Sequence, residues 1–111
     1  MIITPAALTT MDPAKLGCVR MLAVAGEAVG HETVARWSAG RTMLNHYGPT
    51  EFTIWATGSA ALSADEIITI GGPIRGATAL VLDTWLRPVP VGVATAVRAG
   101  TRADPNAESP A

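Results

Sequence analysis

The side chains that could do chemistry are concentrated in one stretch near the middle of the chain, residues 44–51, between two apolar runs. Gly48 and Pro49 force a change of direction there, and a residue before proline is held in extended geometry. Thr50 then supplies a hydroxyl and Glu51 a carboxylate, in a place where loops on a rigid sheet present functional groups. An ordinary strand-to-helix turn with Thr50 as its N-cap explains the same residues. The residue types alone leave both interpretations open.

The segments before this stretch predict a βαβ unit that delivers it to the edge of a sheet. Residues 21–24 are continuously apolar, as in a strand covered on both faces. Residues 31–38 show apolar residues near helical spacing, and residues 42–44 indicate a second strand. Ligands on parallel sheets bind beyond the carboxyl ends of the strands. Both residues 25–27 and the central stretch lie at such ends, so the sequence predicts an α/β fold with a site there.

The sequence after Glu51 predicts further β structure. Residues 54–57 indicate another strand, followed by a polar loop. Residues 67–70 and 78–82 are short β-branched or apolar runs, and Gly and Pro at 71–73 separate them. This pattern is typical of an antiparallel meander.

Composition limits the class of protein. The 111 residues suffice for at most one domain with a modest core. Only 15% of the residues are charged, which fits a piece that packs against more protein. A formal net charge of -1 does not indicate binding to nucleic acid or to an anionic membrane. No apolar run approaches the roughly 20 residues of a membrane span. No signal peptide is visible, and Cys18 is predicted to be a small buried residue, so we expect a cytoplasmic chain.

Four segments carry residue patterns that resemble the motifs of one known family. They are A-G-E-A at residues 25–28, N-H-Y-G-P-T-E at residues 45–51, I-G-G-P-I at residues 70–74 and V-L-D-T-W-L-R-P-V-P-V-G at residues 81–92. In this order they resemble the adenylation domains of nonribosomal peptide synthetases, within the acyl-adenylate-forming, AMP-binding superfamily. The chain is identified as a member of this family.

The resemblance also implies how the chain is organised. Residues 1–93 would be part of the N-terminal core of an adenylation domain, in which a parallel sheet runs into a barrel-like β segment. Complete domains of the family are several times longer, so an incomplete domain is expected. From Ala94 the sequence departs from the family's G-E-L-x-I-x-G strand. We expect residues 94–111 to form a divergent, disordered tail.

The resemblance implies a ligase that activates an amino acid with ATP. The amino-acid carboxylate attacks the α-phosphate, which gives aminoacyl-AMP and pyrophosphate, and a phosphopantetheine thiol on a carrier protein then takes the acyl group. Glu51 matches the residue that holds Mg²⁺, and Thr50 matches a phosphate-contacting hydroxyl, so both are candidate catalytic residues. Tyr47 matches the ring that stacks on adenine, Asn45 the amide that reads its amino group, and Gly26 a close approach of backbone to the base. Two other interpretations stay open, in which Tyr47 is a core residue and Asn45 is a turn residue.

An ungapped match also places residues on the family's amino-acid pocket. These are Ile2, Ala23, Ala25, His46, Ile54 and Trp55. Trp55 beside Ile54 would fill the floor of the pocket, so we expect a small amino acid. His46 could tune the polarity of the pocket or be a packed, hydrogen-bonded ring. Trp37 and Trp85 match no pocket position and are predicted to be packing residues.

Several parts of the family's machinery have no counterpart in this sequence. They include the phosphate loop and the catalytic lysine of the C-terminal subdomain. Because a misplacement of even ~1 Å can cost about a hundredfold in rate, we expect no measurable adenylation by the isolated chain. The alternatives are a non-catalytic remnant with weak nucleotide binding, which can associate with other synthetase domains, and an interaction module that only shares the motif. Exposed apolar surface would favour a fragment of a ligase or a non-catalytic remnant. A closed compact domain would favour the interaction module.

Overall fold

The computed structural model describes residues 1–48 and 55–93, together with the backbone of residues 96–101. These residues contain seven strands. In chain order they are β1 (Ile2–Ile3), β2 (Met21–Ala25), β3 (Thr42–Tyr47), β4 (Thr57–Gly58), β5 (Gly72–Pro73), β6 (Ala77–Leu82) and β7 (Ala96–Thr101). The first five form one sheet in this order, parallel from β1 to β3 and antiparallel from β3 to β5. β6 and β7 form a separate antiparallel pair, so the predicted α/β class with a β-rich continuation is confirmed.

Three short helices connect the first strands. Helix α1 (Pro5–Thr9) begins after Thr4, whose side chain accepts a hydrogen bond from the Ala7 amide. A 3₁₀ helix (Pro13–Leu16) begins after Asp12, whose side chain accepts a hydrogen bond from the Ala14 amide. Helix α2 (His31–Ser38) has the predicted bounds and crosses from β2 to β3. None of the described helices is long and apolar enough to cross a membrane.

The core lies between the helices and one face of the parallel strands. Its buried members are Leu8, Leu22, Val24, Val29, Val34, Trp37 and Met43. Alternate residues of a strand point to opposite faces, so Met21 and Ala23 of β2 face away from the helices. On that face Ile2, the register partner of Ala23, is 60% exposed and Met21 is 59% exposed. The strand at 21–24 is confirmed. On this second face Ala23 is buried and Met21 is not, so the expectation that both faces are covered holds only in part.

The predicted strand at residues 67–70 does not form, and the strand expected beside it in a meander, β6, pairs with β7 instead. The loop before residues 67–70 lies along β3. The Ser59 amide donates to the carbonyl of Asn45, and the Leu62 amide donates to the carbonyl of Met43. Residues 67–70 run without regular structure, and β5 forms at Gly72–Pro73, where the sequence predicted only a turn.

The expected disorder from Ala94 onward does not hold for residues 96–101. Their backbone pairs with the whole of β6, in a register that joins Ala77 to Thr101 and Leu82 to Ala96. Ladder hydrogen bonds require only backbone groups, so a segment with few apolar side chains can still complete a hairpin. The expectation for residues 102–111 falls outside the described residues.

Cys18 is exposed, contrary to the expectation that it is buried. The two apolar residues on either side of it in the turn before β2, Leu16 and Val19, pack against the core. The Val19 amide donates to the Leu16 carbonyl, and this tight turn leaves the Cys18 side chain outside.

Candidate functional site

The carboxyl ends of β2 and β3 lie side by side, as the βαβ prediction required. The two strands are parallel and pair from Met21 with Thr42 to Ala25 with His46. The A-G-E-A segment and the start of the central motif therefore leave the sheet at the same edge.

Gly26 ends β2 with a backbone conformation that favours glycine. Its φ is 89°, in the left-handed region that other residues rarely adopt. A Cβ placed there would have space, with Thr4 Cγ2 at 3.8 Å as its nearest neighbour. Glycine is therefore required at position 26 because of its backbone conformation, and not because a side chain would clash with its neighbours. The turn places Glu27 so that its Oε2 accepts a hydrogen bond of 3.1 Å from the Ala6 amide of α1.

A cleft of about 580 Å³ opens at this edge. Residues 26–29 and His31 line one side, residues 45–48 line the floor, and residues 67–70 close the other side. The volume is in the range of small-molecule sites. Of the predicted nucleotide-binding residues, Gly26, Asn45 and Tyr47 all line it.

Tyr47 is the last residue of β3 and is 38% exposed, so it is not a core residue. Its carbonyl accepts a hydrogen bond of 2.8 Å from the Ala56 amide, and Tyr47 pairs with Thr57 of β4. The backbone is thus fixed by the sheet while the phenol ring borders the cleft. This arrangement leaves an aromatic surface available to a flat ligand.

Asn45 lies inside β3 rather than in a turn, and only 6% of it is exposed. Ser59 holds its backbone on both sides: the Asn45 amide donates to Ser59 Oγ at 2.8 Å, and its carbonyl accepts from the Ser59 amide at 2.9 Å. The side-chain Nδ2 donates to the carbonyl oxygen of Thr69 at 3.0 Å. Asn45 therefore joins the floor of the cleft to the wall at residues 67–70.

The predicted amino-acid pocket residues lie apart from most of this cleft. The register pairs Ile2 with Ala23 and Ala25 with His46, which places these four on the face of the sheet away from the helices. His46 also lines the cleft, whereas Ile2, Ala23, Ala25 and Trp55 do not. The His46 ring stacks on Trp55 with centroids 4.4 Å apart and an interplanar angle of 11°. The structure thus brings His46 and Trp55 together at the boundary between the cleft and that face.

Three predicted site residues, Thr50, Glu51 and Ile54, lie outside the described residues. The magnesium prediction depends on Glu51 and has no described geometry. Within residues 1–48 and 55–93, no group of three or more His, Cys, Asp or Glu side chains could hold a metal.

Two cleft residues near the start of α2, Val29 and His31, were not found from the sequence. Glu27 and Ala28 belong to the A-G-E-A motif, and Val29 follows that motif directly, so its position was a signal that could have found it. His31 comes from the start of α2, where its Nδ1 lies 3.1 Å from the carbonyl oxygen of Ala64. Since a carbonyl only accepts, Nδ1 carries the proton in this contact. Ile70 opens the I-G-G-P-I motif, but residues 67–69 gave no signal of a site, because their β-branched run is equally typical of a strand.

The sequence profile of the family described as AMP-binding enzyme matches residues 1–99. The isonitrile lipopeptide synthase of Mycobacterium tuberculosis strain H37Rv is 52% identical over 92 residues, which are 82% of this chain and 4% of that protein. Novobiocin biosynthesis protein H of Streptomyces niveus is 43% identical over 91 residues, again 82% of this chain and 15% of that protein. The chain thus spans only a small fraction of the length of these relatives.

Solved structures of nonribosomal peptide synthetases also superpose on this chain. The holo form of AB3403, a four-domain nonribosomal peptide synthetase bound to AMP and glycine, superposes with a TM-score of 0.79 at 26% identity, over 90% of this chain and 8% of that one. PA1221, a nonribosomal peptide synthetase protein with adenylation and PCP domains, superposes with a TM-score of 0.70 at 27% identity, over 79% of this chain and 20% of that one.

Proposed function

This chain belongs to the AMP-binding enzyme family, and we propose that it is the part of an amino-acid-activating adenylation domain that holds the adenine end of ATP. The single observation that carries the proposal is the convergence of Gly26, Asn45 and Tyr47 on one cleft. These residues reach it at the edge of the sheet where parallel strands bind ligands.

Each of these residues has a distinct task in the proposal. The phenol ring of Tyr47 would stack on the purine, at low cost in conformational entropy. The backbone at Gly26 would lie close to the opposite face of the base. Its left-handed backbone conformation favours glycine at this position. Asn45 would read the edge of the base.

The remaining chemistry is proposed from the family motif. Thr50 would donate its hydroxyl to a phosphate oxygen, and Glu51 would supply a carboxylate oxygen to Mg²⁺, a hard ion that prefers oxygen ligands. Bound there, Mg²⁺ would neutralise charge on the phosphate oxygens while the amino-acid carboxylate attacks the α-phosphate. The amino acid would lie against the face that carries Ala23, Ala25 and His46.

The stacked pair of His46 and Trp55 reduces the space on that face, which supports a small amino-acid substrate. A carrier protein with a phosphopantetheine arm, or another synthetase domain, would then receive the product. The exposed side chains of Ile2 and Met21 favour a piece that packs against more protein over a closed interaction module.

The proposal is tested by titrating the purified chain with Mg-ATP in a calorimeter. We expect saturable binding that Tyr47→Ala weakens by about 1–3 kcal/mol, roughly 5- to 150-fold in Kd, because the stacking surface is lost. Tyr47→Phe is the matched control, since it keeps the ring and removes only the hydroxyl, and its Kd should stay within about threefold of the wild type. Equal affinity in wild type and Tyr47→Ala would contradict a base-stacking role.

The metal role of Glu51 is tested in the same assay. We expect Glu51→Ala to raise the Kd for Mg-ATP by about 10- to 100-fold, because one charge-assisted contact is removed. With EDTA present, the two proteins should bind ATP equally. A loss of the same size with and without metal would overturn this role.

Pyrophosphate exchange with a pool of amino acids tests catalysis separately. We expect no exchange above background in the isolated chain, because a nucleotide cleft alone does not position both substrates. Exchange that depends on an added amino acid would refute the expected inactivity and identify the substrate.

A further inference from the structure

We propose that His31 is a positioning residue that holds the two sides of the cleft at a fixed separation. It lines one side of the cleft, and its ring donates a hydrogen bond to the loop that leads into the other side. His31 lies outside the four family motifs, so this role belongs to this chain and not to the motifs. The inference rests on the proposed nucleotide function and adds a residue on which the shape of the site depends.

The contact of His31 joins two segments that are far apart in the chain. His31 is the first residue of α2, and its Nδ1 lies 3.1 Å from the carbonyl oxygen of Ala64, 33 residues later. Because a carbonyl only accepts, Nδ1 is the donor. His31 and residues 26–29 form one side of the cleft, and Ala64 lies just before the wall at residues 67–70. The hydrogen bond therefore bridges the helix side of the cleft and the loop that carries the wall.

The wall at residues 67–70 has no regular structure to hold it in place. None of its four backbone amides donates a hydrogen bond to another described residue. Ile68 packs against the core, whereas Ile67 is 87% exposed. Beyond the wall, β5 pairs with β4 and fixes the far end. The position of the near end therefore depends on the loop before it, residues 59–66.

This loop is attached to β3 on one side and to His31 on the other. The Leu62 amide donates to the carbonyl of Met43 at 2.7 Å, and the side chains of Leu62 and Ala64 pack against the core. Among the described residues, the contact of His31 with Ala64 is the only hydrogen bond between this loop and the residues that line the opposite side of the cleft. Without it, the loop is held to the floor of the cleft but not to α2.

The expected consequence is weaker binding of the nucleotide. If the loop is free to move away from α2, the ligand must restore the separation of the two sides, and this ordering is subtracted from the binding free energy. A hydrogen bond between neutral groups corresponds to about a 2- to 13-fold change in an equilibrium constant. We therefore expect loss of the His31 contact to raise the Kd for Mg-ATP by about fivefold.

The experiment measures this Kd by calorimetry for the full chain and three variants. His31→Leu keeps a bulky side chain but removes the donor. His31→Asn removes the ring but places its Nδ2 close to the position of Nδ1, so it can still donate to Ala64. Glu32→Ala is the matched control, because Glu32 is the next residue of α2 and lies in the groove between α1 and α2 rather than in the cleft.

The expected Kd is about fivefold higher in His31→Leu and within about twofold of the wild type in His31→Asn and Glu32→Ala. Wild-type affinity in His31→Leu would overturn the inference and leave the proposed function standing. An equal loss in His31→Leu and His31→Asn would also overturn it, because the ring itself and not its hydrogen bond would then matter. If the wild-type chain does not bind Mg-ATP, the proposed function fails and the inference fails with it.

A second measurement tests the contact without a nucleotide and covers the case in which a variant does not fold. The neutral ring of a free histidine carries its proton mostly on Nε2, whereas donation to Ala64 requires the proton on Nδ1. Nitrogen-15 NMR of the wild-type chain distinguishes these two forms, and we expect His31 in the Nδ1–H form. A proton on Nε2 of His31 in the folded chain would mean that the contact is absent, and the positioning role would be wrong.

Discussion

Gly71→Ala is expected to destabilise the chain far more than Gly40→Ala, although the two glycines have almost the same conformation. Their φ angles are 72° and 73°. An alanine in this region costs about 1–2 kcal/mol at either position. At Gly40 nothing lies within 4 Å of the added Cβ, whereas at Gly71 the Cβ would overlap the backbone carbonyl of Gly58. Overpacking against backbone adds about 1–3 kcal/mol or more at Gly71 alone.

Urea unfolding followed by circular dichroism measures this difference. Gly40→Ala controls for the backbone conformation, so the excess loss in Gly71→Ala reports the contact between β5 and β4. The same variant should weaken Mg-ATP binding, because the contact anchors the cleft wall at residues 67–70. Equal free energies of unfolding for the two variants would mean that β5 does not pack on β4 as described.

Trp37→Ala is expected to lower the free energy of unfolding by about 3–5 kcal/mol, the usual cost of removing a large buried aromatic side chain. Trp37 is 1% exposed, lies in the core cluster, and has the Arg41 guanidinium 5.2 Å from the centre of its ring. In a domain of this size, a loss of that magnitude is a large fraction of the total stability.

Trp85→Ala is the matched control, because the residue type is the same and the surroundings differ. Trp85 is 74% exposed, contrary to the prediction that it is a packing residue. Its turn is held by Asp83, whose Oδ1 accepts hydrogen bonds of 2.9 Å from the amides of Trp85 and Arg87. Removing the ring should change stability by less than about 0.5 kcal/mol. Similar losses for both tryptophans would contradict the burial of Trp37.

The sequence by itself determined the family and the local elements around the motif. The four motifs predicted the AMP-binding superfamily, which the matched profile over residues 1–99 confirms. The helix His31–Ser38 has the predicted bounds, because the helical spacing of apolar residues is a property of neighbouring residues. The strand leading into the motif was predicted too short, since β3 continues to Tyr47.

The sequence also placed part of the candidate site. The rule that ligands lie beyond parallel strand ends brought Gly26, Asn45 and Tyr47 to one edge, and the structure puts them around one cleft. Their roles in binding stay predictions, as do those of Thr50 and Glu51, which lie outside the described residues.

Only the tertiary structure decided how distant segments share the edges of the strands. The strand at 77–82 pairs with residues 96–101, and the β-branched run at 67–70 lines the cleft instead of pairing with it. Trp37 is buried and Trp85 exposed for the same kind of reason, because burial depends on what packs against a side chain and not on its type. The periodicity of a sequence depends on the conformation of neighbouring residues. Which segment pairs with the edge of a strand, or packs on the face of a sheet, depends on residues far away in the chain.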